Sequence, residues 1–316
     1  ASALPLNGLV WYPEGPGPFP IVLVVHGNHI AGDYSDPGYA YLCEHLAGRG
    51  FIAVSIDENF LNGWFFYDGE GKEMPVRAWL LLKHLQEWRR WNADPANVFY
   101  GKVDLNRVAL MGHSRGGEAA THAAAMNTKF YYPIDKVAEK GEFGFGIRAV
   151  VGIAPPDGQY RPGGKAESLT DISYLGLYGG HDQDLFWAAP VQQYNRVKFE
   201  TDARAFKAVA YVYRANHGQF NTVWADADYG PINSLMLNRK PLLSAEEQRT
   251  AGKVFMTAFL EAALLGKDEY RDVFRSPAAA REWLPQDIVV TQYQDGSFQP
   301  VNMNRRFGLV LPWYEQ

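Results

Sequence analysis

The stretch Val108-Ala109-Leu110-Met111-Gly112-His113-Ser114-Arg115-Gly116-Gly117 decides the fold. An apolar run that reads as a buried strand stops at Gly112, and an alanine-rich, helix-forming run begins after Gly117. Between them stands Gly-x-Ser-x-Gly, the pattern of a nucleophile elbow. A serine held in a tight strand-to-helix turn is strained, and glycines on either side let strand and helix approach closely. Its hydroxyl then sits at a helix N-terminus, where backbone N–H groups and the dipole favour developing negative charge. Small residues also cluster in ordinary turns, so the pattern draws its meaning from the strand before it and the helix after it.

Outward from this turn the chain alternates. Strand-like runs are expected at Gly8–Tyr12, Ile21–Val25, Phe51–Ile56, Arg107–Met111, Ile147–Ile153, Ile172–Tyr178 and Phe206–Tyr213. Most are continuously apolar or β-branched, as in strands covered on both faces. Val76–Trp91 places Leu81, Leu85 and Trp88 on one helical stripe, with Lys83, Arg89 and Arg90 as a solvated face. Ser244-x-x-Glu247 reads as a capping box for a helix that ends near Leu265, with Gly266 as its C-cap. Strand–helix alternation predicts an α/β protein with a mostly parallel central sheet and helices on both faces. Residues 1–270 are expected to form the catalytic domain. Residues 271–316 are expected to form an extension packed on it, with a hairpin around Asp295-Gly296.

Composition narrows the classes. The chain has 316 residues, 47% of them hydrophobic, enough for a full core. A net charge of −5 gives no electrostatic reason to expect nucleic acid as a partner, and no apolar stretch is long enough to span a bilayer. Cys43 is the sole cysteine, which excludes an intrachain disulfide and a cysteine-based metal site. That is compatible with the cytosol or with bacterial export, export being the favoured expectation. The start at Ala1 is compatible with a processed chain. Neither Gly-x-Gly-x-x-Gly after a strand nor a phosphate-binding Gly-Lys-Ser/Thr loop occurs, so no cofactor is expected.

A serine nucleophile needs a base, and the base needs an orienting acid. On sheets with such an elbow the chain order is serine, acid, histidine. Of eight histidines, His122, His181 and His217 follow Ser114. His122 lies down the helix from the elbow, and His181 precedes the acids beside it. His217, in Asn216-His217-Gly218 past the last strong strand, is the expected base. The preferred acid is Asp182 in Gly179-Gly180-His181-Asp182; Asp184 and Asp157 remain alternatives. A metal at His181-Asp182-x-Asp184 is a weaker reading, because one short loop offers too few ligands. The backbone N–H groups of Arg115 and Asn28, the latter in His26-Gly27-Asn28-His29, are the expected oxyanion donors, each supplying about 3 kcal/mol to the transition state. His26 is expected to pack structurally. Trp64, Phe65, Phe66 and Tyr67 lie in a glycine-containing loop on the same side as Ser114. They, Trp64 and Phe65 above all, together with His29, are expected to contact substrate. The aromatic stretch Lys129–Gly146 is a second such loop.

These motifs, in this order at strand ends, resemble the α/β-hydrolase superfamily across roughly residues 8–266. The compact layout is similar to the dienelactone-hydrolase, platelet-activating-factor-acetylhydrolase and cutinase-like polyesterase branches. It departs from the first in having serine for cysteine, and from the last in lacking a disulfide. The resemblance implies a serine hydrolase that cleaves carboxylic esters, small or polymeric, through an acyl-enzyme, with hydrophobic esters expected. A serine peptidase of the prolyl-oligopeptidase type and a non-catalytic binding module on the same fold are the alternatives.

Overall fold

In the computed structural model of the chain, the described residues are 4–63, 72–128, 143–185, 187–224, 226, 228 and 238–298. The apolar runs form one sheet of eight strands: β1 Asn7–Trp11, β2 Phe19–Val25, β3 Ile52–Asp57, β4 Val103–His113, β5 Ile147–Ile153, β6 Ser173–Gly179, β7 Phe206–Val212 and β8 Val289–Asp295. Their spatial order is β1-β3-β2-β4-β5-β6-β7-β8. The strands β3-β2-β4-β5-β6-β7 are parallel, and the edge strands β1 and β8 are antiparallel to their neighbours. This is the α/β-hydrolase fold.

Both sheet faces are covered, which explains the unbroken apolar runs. On β2, Ile21, Leu23 and Val25 turn to one face and pack with Leu81, Leu85 and Trp88 of α2 (Met74–Ala93) and Ala119, Ala120 and Ala123 of α3 (Arg115–Met126). Val22 and Val24 turn to the other, against Leu42 and Leu46 of α1 (Ala40–Gly48) and Phe255 and Phe259 of the long C-terminal helix, residues Ala245–Leu265. Burying each such large side chain stabilises the fold by roughly 1.5–3 kcal/mol. The C-terminal helix has the expected ends: Ser244 and Glu247 form a reciprocal capping box, and Gly266 closes it at φ 69°.

Two differences from the sequence reading concern polar residues. Strand β4 starts at Val103 rather than Arg107, and its pairing with β2 jumps from Asp104 to Val108. The intervening Leu105-Asn106-Arg107 bulges out, and its polar side chains hide the strand from an apolar pattern. The segment before Gly296 pairs along β7 as the last strand of the main sheet, half-buried at Val289, Thr291 and Tyr293. The second arm of the hairpin expected there lies outside the described residues. No helix among the described residues is long and apolar enough to cross a membrane.

Because six neighbouring strands are parallel, the loops after β2, β4, β6 and β7 open on one side of the sheet. Ligands bind at that side in open α/β sheets.

Candidate active site

At the end of β4, Ser114 adopts φ 55° and ψ −129°, and α3 starts at the next residue. A non-glycine residue at positive φ is strained and persists only where its surroundings impose it. Here the Ser114 N–H donates to Ile153 O of β5 (2.8 Å), and Gly117 N donates to Ser114 O (2.8 Å). A Cβ on Gly112 would collide with the backbone of Gly116, and one on Gly116 with the carbonyl of Val25. The glycine spacing is therefore a steric requirement of strand and helix in contact.

The loop after β2 lies directly against this turn. A Cβ on Gly27 would sit 2.6 Å from Ser114 Cβ and 3.0 Å from Arg115 N. The backbone of Gly27-Asn28 thus runs beside the serine, and Arg115 opens α3, where N–H groups point out of the helix end. His26 is fully buried; it accepts from Glu58 N at Nε2 (2.9 Å) and donates from Nδ1 to Gly27 O (2.8 Å). Burial, then Arg77, hold it down to about 3, so it packs as a neutral ring. A polar chain joins loop and elbow. Arg115 Nη1 donates to Glu73 (2.9 Å), and Glu73 lies 3.7 Å from Arg77 Nε. Arg77 bonds Asn62 (2.7 Å) and Glu58 (3.3 Å).

After β6, Asp182 Oδ1 accepts from Asp184 N (2.9 Å) and Leu185 N (2.8 Å), which fixes the carboxylate. Its Oδ2 accepts from Nδ1 of His217 (2.8 Å), on the loop after β7. Donation at Nδ1 leaves Nε2 of His217 as the position that can take a proton. Burial opposes a charge on His217, but the charge and hydrogen bond of Asp182, then Asp184 and Asp228, raise it above the usual imidazole value. Asp184 lies on the Nε2 side, 3.6 Å away. Asp157 is elsewhere, forked by Arg196 Nη1 (2.9 Å) and Nη2. Of the three carboxylates considered, Asp182 alone meets Nδ1.

Ser114 and His217 belong together through their neighbour. His113, fully buried, donates from Nε2 to His217 O (2.9 Å) and accepts at Nδ1 from Tyr39 OH (3.0 Å). Burial, then His217, keep it well below the usual imidazole range. His122 pairs with Glu118 on α3 (3.4 Å), and His181 donates to Tyr213 O (2.7 Å).

A family model described as Chlorophyllase matches residues 1–165. The chain belongs to the chlorophyllase family. That family lies within the α/β-hydrolase superfamily, so the resemblance read from the motifs holds, and the match narrows it to a branch the motifs did not single out. Chlorophyllase-2 of Arabidopsis thaliana is 28% identical over 173 residues, 54% of this chain and 46% of that protein. Chlorophyllase-1, chloroplastic, of Citrus sinensis is 25% identical over 157 residues, 50% of this chain and 39% of that protein. The chain thus matches less than half the length of each of these two relatives. The family match takes in the loop after β2 and the elbow and ends before Asp182 and His217.

Three contributors escaped the sequence reading. His113 looks like a variable position inside the elbow, yet it ties the elbow to the His217 loop. Trp224 lies parallel to His29 (centroids 5.2 Å, 4°) and to His217 (6.2 Å, 7°), and donates from Nε1 to Ser35 Oγ (2.9 Å). Asp228 gathers the N–H groups of His217 and Gly218. No motif marks Trp224 or Asp228. Trp64, Phe65, Phe66 and Tyr67 lie outside the described residues, as do residues 129–142. Gly63 is bonded to the loop after β2: its N–H donates to Asn28 Oδ1 (3.3 Å), and its carbonyl accepts from Ala31 N (3.2 Å).

Proposed function

We propose that the protein is a carboxylic-ester hydrolase in which Ser114 is nucleophile, His217 base and Asp182 orienting acid. The observation that carries this reading is the hydrogen bond from His217 Nδ1 to Asp182 Oδ2 (2.8 Å), on a loop that His113, next to Ser114 at φ 55°, bonds at His217 O (2.9 Å). Nε2 removes the Ser114 proton as Oγ attacks the ester carbonyl. The N–H groups of Asn28 and Arg115 hold the oxyanion, each contributing about 3 kcal/mol. The imidazolium, stabilised by Asp182, returns its proton to the departing alcohol. Water then attacks the acyl-enzyme by the same route, and the acid leaves with Ser114 restored.

The substrate class is hydrophobic esters. The relatives' names point to a chlorophyll ester, which falls in this class. Aromatic residues support it: His29 lies flat on Trp224, beside His217. Removing apolar substrate from water there contributes about 25 cal/mol per Å². The test is a panel of p-nitrophenyl esters of increasing acyl length, with a chlorophyll and a peptide amide alongside, for the wild-type chain and Ser114→Ala. Turnover should favour the longer esters over acetate and the peptide, and vanish in Ser114→Ala. Preference for the amide, or full turnover by Ser114→Ala, would overturn the reading.

A further inference from the structure

Four hydrogen bonds converge on one buried carboxylate behind the base loop. Asp228 Oδ2 accepts from the backbone N–H groups of Gln183 (3.1 Å) and His217 (3.0 Å). Its Oδ1 accepts from Gly218 N (2.9 Å) and from Asn216 Nδ2 (2.9 Å). Gln183 stands between Asp182 and Asp184, so a single oxygen holds the acid loop and the base loop at once. The β6–β7 ladder ends at Gly179 and Val212, and the backbone bonds beyond it, Gly180 N to Val212 O (2.9 Å) and His181 N to Ala215 O (2.9 Å), stop before Asp182 and His217.

We propose that Asp228 is a positioning residue: it sets the distance between Asp182 and the His217 ring and biases that ring by its charge. This rests on the assignment of Ser114, His217 and Asp182 above. The residue type matters. An ionised carboxylate offers about four acceptor positions and no donor, matching the four N–H groups that meet it. An asparagine would turn its own NH₂ against some of them. Burial pushes Asp228 up to about 6 against the pull of His217 and its N–H. The charged groups facing it are His217, Asp182 and Asp184. Asp226 and Arg239, paired at 3.0 Å, line a cavity of about 20 Å³ together with Asp228, Asn216 and Gln183. The acceptors of Asp228 are directed at the two loops, while Gln248 of the C-terminal helix supports the same base loop by accepting from Asn216 N (3.0 Å).

Two effects should separate this role from simple structural support. Displacing His217 relative to Asp182 lowers kcat and leaves KM little changed. A misplacement on the order of 1 Å costs up to about 100-fold. Removing the charge also removes one of the causes that raise His217. The base then loses its proton at lower pH, and the acid limb of kcat/KM moves down. The experiment is Asp228→Asn in the full chain, with pH–rate profiles on a p-nitrophenyl ester and a melting curve. The expected result is a fall in plateau kcat of about 10- to 100-fold, an acid limb at lower pH, and a folded protein at the assay temperature. A wild-type kcat and profile overturns the proposal, and so does a loss explained by unfolding with an unshifted limb. If Asp228→Asn is too unstable to assay, Asn216→Ala removes one donor and keeps the carboxylate. A smaller loss of kcat supports the clasp, and wild-type kcat overturns it. Ser114→Ala is assayed beside them: turnover surviving there defeats the assignment of the nucleophile itself, whereas its loss with an unaltered Asp228→Asn defeats only the clasp.

Discussion

The elbow that carries Ser114 and the loop that carries His217 hold their side chains by different physical means. At the elbow the agent is backbone sterics. Gly27, Gly112 and Gly116 have no room for a Cβ, and Ser114 is forced to φ 55° between a strand and a helix that touch. At the base loop the agent is polar and long-range. His217 is held by Asp182 through its ring, by Asp228 through its N–H and by His113 through its carbonyl. The first device rests on the glycine spacing of the elbow, with Gly27 of the loop after β2 packed against it, and tolerates almost no added volume. The second draws on residues far apart in the chain and depends on charge and hydrogen-bond sense. A site built from both is sensitive to size on one side and to charge on the other.

That contrast can be broken from either side. The largest effect belongs to the charge side. Asp182→Asn keeps the shape but reverses the partner offered to Nδ1, and kcat should fall by about 10⁴ with the melting temperature near wild type. Retention of most activity would move the acid to Asp184 or Asp157. On the steric side, Gly27→Ala places a Cβ 2.6 Å from Ser114 Cβ and 2.7 Å from His113 O. The loop must shift, carrying the Asn28 N–H from its place, and kcat should drop by about 10²- to 10³-fold. An unchanged kcat would remove that loop from the reaction. The smallest effect is expected for Asp184→Asn. Asp184 is one of the charges that raise His217, and a general base works only when neutral. Wild-type activity should therefore rise through an acid limb above the ordinary imidazole range. Losing Asp184 should move that limb to lower pH, with plateau kcat changed by less than about tenfold. A limb that stays in place would show that Asp184 does not act on Nε2.

The same contrast explains what could be read in the sequence. The elbow was legible because its constraint is a spacing of glycines within ten or so residues of an apolar strand and a helix. The parallel sheet followed from continuous apolar runs such as Ile147–Ile153, which are the mark of burial on both faces. The Asp182–His217 pairing was within reach because chain order leaves few choices, but the sequence left Asp184 and Asp157 open; the Arg196 fork on Asp157 is a tertiary contact. Asp228 and Trp224 were illegible for the same reason. Their partners, Gln183 for one and Ser35 for the other, stand in separate parts of the chain, and no local pattern records such a meeting. The start of β4 was hidden because Asn106 and Arg107 bulge from the ladder.

The most direct measurement is the reaction of the folded chain with a fluorophosphonate probe, the labelled residue located by mass spectrometry and ester turnover followed in parallel. A serine activated by His217 should take one label, on Ser114, as turnover is lost, and Ser114→Ala should neither label nor turn over. No label on active wild-type protein, a label on another residue, or ester turnover by purified Ser114→Ala would contradict the assignment of Ser114 as the nucleophile.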